Sequence, residues 1–174
     1  DEEAVAHARA TYAGRTGLRF EQASATALPL PDASVDVVVS FETLEHLPRE
    51  DQPRMLAEFA RVLTGDGLLL LSAPNPVEYS AARNYRSPFH LHEPSRDELE
   101  RLLAVAFPVR RWFRQRRYFG SALWSEDREG AVEALAGDAA HVDEAPPPAA
   151  MYFVVLAARD RRDPAAVQGL VSEA

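Results

Sequence analysis

The 174 residues contain no cysteine. That excludes disulfides, thiolate nucleophiles and cysteine-ligated zinc. No apolar run approaches the ~18 residues a membrane-crossing helix requires, and no segment has the shape of a signal peptide. A cytoplasmic protein without a membrane span is the expectation. Basic charge is also short: 19 Lys+Arg against 27 Asp+Glu give a formal net charge of −8. A broad nucleic-acid-binding surface needs the opposite balance, so nucleic acid is not an expected partner. The local exception is the five arginines between Arg110 and Arg117, which read as a strand with a solvated basic face. An initiating methionine is missing as well. Asp1-Glu2-Glu3 leads directly into a helical pattern, as in a chain entered partway.

What is present suits one globular domain: 47% of residues are hydrophobic and 26% charged, enough apolar material for a core. Residues 2–13 are Ala-rich with acids at the front, a helix with Asp1 as its N-cap, closed by Gly14 and Gly17. Leu18 to Ala23 is a short strand candidate, and Thr26 to Ser34, with Pro29, Pro31 and Asp32, a loop. Val35 to Phe41 is apolar nearly throughout, as in a strand buried on both faces. Arg49 to Leu63 places Met55, Leu56, Phe59, Val62 and Leu63 at helical spacing. Gly65-Asp66-Gly67 turns the chain into the strand Leu68 to Ala73. Strand, helix, strand in this order implies a parallel crossover.

Residues 75–94 have no clear period, and a long irregular stretch in a compact domain is usually functional. Ser95 opens a helix to Ala106, with Glu98 completing a capping box. Val109 to Phe119 reads as a strand, Glu126 to Leu135 as a short helix, Gly137 to Ala150 as a loop, and Met151 to Ala158 as a last strand. The link before that last strand is weakly helical at most, so the closing pair is expected to be antiparallel. The fold class is α/β, a doubly wound sheet with an antiparallel strand at one side.

Two passages carry a family resemblance. Ser24 to Val38, "SATALPLPDASVDVV", resembles the approach to strand 4 of small-molecule S-adenosylmethionine (SAM)-dependent methyltransferases of class I, the type 11-like group. Arg61-Val62-Leu63 through Gly65-Asp66-Gly67 to Pro74-Asn75 resembles their passage into strand 5. Order and spacing together are more specific than either piece. The resemblance implies a Rossmann-like sheet of strand order 3-2-1-4-5-7-6, of which this chain supplies strands 3 to 7. Strands 1 and 2, the glycine-rich loop and the ribose-binding acid are expected upstream of Asp1. Residues 1–160 would be a partial methyltransferase domain, with a substrate or lid insertion at 75–94 and a loop-rich insertion at 120–150. Residues 161–174 would be a tail. Strand 4 would become an unpaired apolar edge, open to a homodimer or a partner.

The resemblance also implies site residues. Ser24, Ala25 and Leu28 would meet the adenine of SAM, and Phe41 and Glu42 would line the donor pocket. Glu42, Glu45 and His46 form Glu-x-x-Glu-His, a spacing that faces one side of a helical turn. His46, Glu45 and His90 are the candidate catalytic groups. Glu42, Glu45, His46 and His90 are candidate ligands of a divalent cation (Mg²⁺, Mn²⁺ or Zn²⁺); the histidine alone, as base or orienting group, is the other reading. Asn75, Tyr79, Asn84, Tyr85 and His92 are candidate substrate contacts, or a lid packed on itself. His7 and His141 read as surface. The implied function is O-methylation of a small-molecule acceptor such as a sugar or a phenolic compound. The alternative is a non-catalytic methyltransferase-like module acting through a dimer or partner.

Overall fold

The computed structural model describes residues 1–115, 135–137, 142–144 and 151–159. The elements, in chain order, are α1 (Glu2–Thr11), β1 (Val35–Ser40), α2 (Gln52–Val62), β2 (Leu63–Pro74), α3 (Arg96–Ala104), β3 (Val109–Gln115), β4 (Leu135–Gly137), β5 (Val142–Glu144) and β6 (Tyr152–Ala158). The main sheet runs β1-β2-β6-β3. β1 and β2 are parallel, and β6 lies antiparallel to both β2 and β3. This is the 4-5-7-6 part of the order expected from the resemblance, with the last strand inserted antiparallel between its neighbours. β4 and β5 form a separate antiparallel pair.

Local chemistry explains the helices. The Asp1 carboxylate accepts from the N–H groups of Glu3 and Ala4 and so caps α1. Ser95 caps α3 through the Glu98 N–H. Pro53 lies in the first turn of α2, where no N–H is needed, and the helix starts at Gln52 rather than Arg49. Met55, Leu56, Phe59 and Val62 of α2 join Leu99 and Leu103 of α3, and Leu69, Leu71, Phe153 and Val155 of the sheet, in one buried core. No helix among the described residues is long and apolar enough to cross a membrane.

The structure corrects several expectations. Leu18 to Ala23 is not a strand; a short extended segment needs a hydrogen-bonded neighbour, and none of the four sheet strands pairs with it. Val35 to Phe41 is not buried on both faces. Val38 packs on the core, whereas Val37, Val39 and Phe41 are 54%, 59% and 52% exposed along the other face of an edge strand. Gly65-Asp66-Gly67 lies inside β2, as an irregularity in its pairing with β1. A Cβ on Gly67 would come within 2.8 Å of the Leu63 side chain and 3.2 Å of the Asp36 carbonyl, whereas Gly65 faces open space. The loop expected at 137–150 contains β5. The strand continuation past 115, the helix at 126–135 before its last residue, His141 and the tail lie outside the described residues.

Arg61 has a structural task that its place in the resemblance did not reveal. Its guanidinium donates to Glu58, to Asp32 and to the carbonyls of Leu28 and Leu30, while Glu58 accepts the Leu28 N–H. The last turn of α2 thereby clasps the 28–32 loop. The guanidinium hydrogen bond holds the Glu58 carboxyl down at about 2.

Candidate active site

Parallel strands present their carboxyl ends to ligands in folds of this kind, and β1 ends at Ser40. The chain then turns sharply: Glu42 has φ of +50°, left-handed backbone that non-glycine residues seldom adopt. Ser72 on the neighbouring strand holds it there. Its hydroxyl accepts the Glu42 N–H (3.1 Å) and donates to Glu42 Oε1 (2.7 Å). Burial raises the Glu42 carboxyl pKa against the lowering effects of Ser72, His90 and His46.

A 3₁₀ turn, Leu44–His46, follows. Glu45 is wholly buried, and neither carboxylate oxygen has a hydrogen-bond partner among the described residues. Burial, assisted by repulsion from Glu42, pushes this carboxyl up to about 7. Two imidazoles face it: Nε2 of His46 is 3.9 Å and Nε2 of His90 4.0 Å from Oε1. The rings meet edge to face with centroids 5.0 Å apart. His46 Nδ1 lies 3.0 Å from the Phe89 carbonyl. A carbonyl can only accept, so Nδ1 donates and a neutral ring keeps its Nε2 lone pair toward Glu45.

The irregular 75–94 segment is strapped over this turn. The N–H groups of Leu91 and His92 donate to the Glu45 carbonyl. Gln52, buried in the first turn of α2, bridges the carbonyls of Leu44 and His92. Asn75 opens the segment: its side chain accepts the Val77 N–H and its carbonyl the Tyr79 N–H. Tyr79 stacks on His90 at 5.5 Å and meets Tyr85 and Tyr152 edge-on; burial raises its hydroxyl pKa. Asn84 (φ +47°) and Tyr85 line a cavity of about 310 Å³ with Pro76, Ser80, Ala81 and Arg86.

The structure therefore brings together Glu45, His46 and His90, whose ligand atoms lie within 4.8 Å of one another, with Tyr79 against them and Asn84 and Tyr85 at the adjoining cavity. Glu42 is turned to Ser72 and is not part of the close trio. His92 faces α3, its Nε2 3.1 Å from Glu98, which also pairs with Arg49. Ser24 bonds locally to Thr26, and Leu28 is held by the α2 clasp. Phe41 stands open at the end of the exposed β1 face. The trio is suited to holding a proton or a divalent cation at a dry carboxylate. Gln52, Ser72, Ser80 and Glu93 carry no local sequence signal of these contacts: Gln52 reaches His92 across 40 positions, Ser72 reaches Glu42 across 30 and Ser80 reaches Glu93 across 13.

Part of this chain is similar to known methyltransferases. Residues 1–71 match the family described as "Methyltransferase domain". Over 107 residues the chain is 50% identical to a "Probable S-adenosylmethionine-dependent methyltransferase" of Mycobacterium tuberculosis, a match covering 61% of this chain and 37% of that protein. It is 32% identical over 108 residues to the uncharacterized methyltransferase YcgJ of Bacillus subtilis, covering 58% and 42%. The crystal structure of YcgJ superposes with a TM-score of 0.57 at 20% identity, covering 92% of this chain and 80% of that one; at that identity the likeness shows the fold. The chain thus spans less than two-fifths of the length of the mycobacterial relative. The match over residues 1–71, the mycobacterial relative and the strand order β1-β2-β6-β3 make this chain similar to SAM-dependent methyltransferases, with the Rossmann-like fold of their class I.

Proposed function

We propose that the full-length protein transfers the methyl group of SAM to a hydroxyl of a small molecule, a sugar or a phenolic compound, and that Glu45, His46 and His90 form the acceptor side of its site. One observation carries the reading: a fully buried carboxylate without hydrogen-bond partners among the described residues, faced by two imidazole Nε2 atoms.

The residues present fit one side of a donor site. The β1 face ends in Phe41, an exposed ring beside the Glu42 turn, where a flat or apolar group can lie. We place the adenine side at Ser24, Ala25 and Leu28 and the sulfonium end at Phe41 and Glu42. Bound SAM would supply an electrophilic methyl group to the acceptor oxygen. The chain's task is to take the acceptor's proton. His46 is the first choice: its side chain is 44% exposed, against 10% for His90. Nε2 accepts the hydroxyl proton, and Glu45 stabilises the imidazolium. Tyr79, Asn84 and Tyr85 border the space for the acceptor, with Asn75 fixing the start of that segment.

A divalent cation is the second reading, favoured by the unpartnered oxygens of Glu45. Glu45, His46 and His90 would hold it, with Glu42 nearby, and it would lower the acceptor hydroxyl's pKa. The open β1 face is where we place any homodimer or partner contact. Full-length protein assayed with SAM against paired sugar and phenol acceptors should show transfer to oxygen. His46→Ala should cut kcat about 10²–10⁴-fold, and no transfer to any hydroxyl acceptor would overturn the reading. Treatment with EDTA followed by Mg²⁺ or Mn²⁺ decides the cation: loss and recovery support it, unchanged turnover excludes it.

A further inference from the structure

Behind His90 lies a second carboxylate that the proposed chemistry does not use. Glu93 Oε1 is 2.6 Å from His90 Nδ1. Ser80 Oγ lies 2.8 Å and 2.7 Å from the two Glu93 oxygens. Both side chains are nearly buried, with 10% of His90 and 11% of Glu93 exposed. His90 thus sits between two carboxylates, Glu93 at hydrogen-bond distance and Glu45 at 4.0 Å. A neutral imidazole has one N–H to give. The shorter, charge-assisted contact decides where it goes.

We propose that Glu93, clamped by Ser80, is a positioning residue that fixes His90 in the Nδ1–H tautomer and so presents the Nε2 lone pair to Glu45 and His46. This rests on the reading of His90 as part of the acceptor side. Three features converge on the clamp. Ser80 lies in the π-helical turn Val77–Ala81. Tyr79, its neighbour, stacks on the His90 ring and sets its plane. Glu93 itself immediately precedes the buried Pro94 at the entry to α3. Without Glu93, the nearest carboxylate to His90 is Glu45, and an Nε2–H pointing at Glu45 would be the favoured alternative. That tautomer would turn the ring from proton acceptor into donor at the very atom facing the centre. His46 needs no such carboxylate, because the Phe89 carbonyl does the same for its Nδ1. Ser80 also lines the 310 Å³ cavity, so the clamp joins the proposed acceptor space to the imidazole.

The test is ¹⁵N NMR of ring-labelled histidine in the full-length protein at mildly alkaline pH, alongside steady-state kinetics. Wild-type His90 should show Nδ1 protonated and Nε2 bare. Glu93→Ala should shift it toward Nε2–H and lower kcat about 10–100-fold, as loss of an outer partner of a functional histidine does, with KM for SAM unchanged. Glu93→Gln keeps an acceptor oxygen and should retain the wild-type tautomer and most of the turnover. Should Glu93→Ala fail to fold, Ser80→Ala carries the measurement, with a smaller shift in the same direction. A wild-type ring protonated at Nε2, or a tautomer that neither variant moves, overturns the proposal. A tautomer that moves while kcat stays constant upholds the clamp and instead removes His90 from the proposed chemistry.

Discussion

Helices α1 and α3 are written in the same local grammar and meet different fates. Each begins on a capping side-chain oxygen, carries two acids in its first turn and an arginine in its last. α3 buries Leu99 and Leu103 completely, whereas α1 buries no residue. Capping and charge set where a helix begins and ends; apolar area on one face sets whether it is held. The same contrast divides β1, whose Val38 packs on the core while Val37 and Val39 face outward. The Glu45–His46–His90 trio stands on the packed side, with Leu44 of its own turn buried in the core.

The largest effect is expected at Leu103: truncation to Ala leaves a cavity and should cost about 2–5 kcal/mol, read by chemical denaturation. Gly67→Ala comes next, at about 1–3 kcal/mol of overpacking against Leu63 and the Asp36 carbonyl, with Gly65→Ala close to neutral as its control. In the 174-residue chain itself, where Val39 is 59% exposed, Val39→Thr should change stability by no more than about 0.5 kcal/mol. A cost at Val39 equal to that at Leu103 would erase the distinction between the two faces.

The clasp of α2 on the 28–32 loop gives a smaller, pH-dependent effect. The Glu58 carboxyl lies at about 2 in the folded chain against an ordinary 4.5. Its contribution is therefore present above pH 4.5 and lost as the pH falls from there toward 2. Glu58→Gln should lower Tm at neutral pH, and the gap to wild type should close across that acid window. A gap that is constant with pH would show that the Arg61–Glu58 pairing does not stabilise the fold.

The packed side was the more legible one in the sequence. Met55, Leu56, Phe59 and Val62 announced α2 by spacing, Ser95 and Glu98 announced the start of α3, and four consecutive leucines marked β2. Leu18 to Ala23 misled because a strand is made by its neighbour, which local pattern cannot show. Val35 to Phe41 misled because a run of valines reads alike whether one face or two are covered. In the candidate site, the Glu-x-x-Glu-His motif pointed to Glu45 and His46 together with Glu42, and the resemblance offered His90 or His92. Glu93 and Ser80 were hidden because their role exists only once the 75–94 segment folds over the turn. Glu42 shares the motif spacing, yet its backbone is left-handed and its carboxyl is spent on Ser72.

We propose that the buried Glu45 carboxylate serves chemistry rather than stability. Measuring kcat, SAM affinity and Tm for Glu45→Gln in the full-length protein tests it most directly. An isolated buried carboxylate is costly to keep, so the neutral side chain should leave Tm unchanged or raise it. At the same time kcat should fall at least about tenfold, on the scale of a lost acid–base partner, with SAM affinity unaltered. Turnover equal to wild type would contradict the claim.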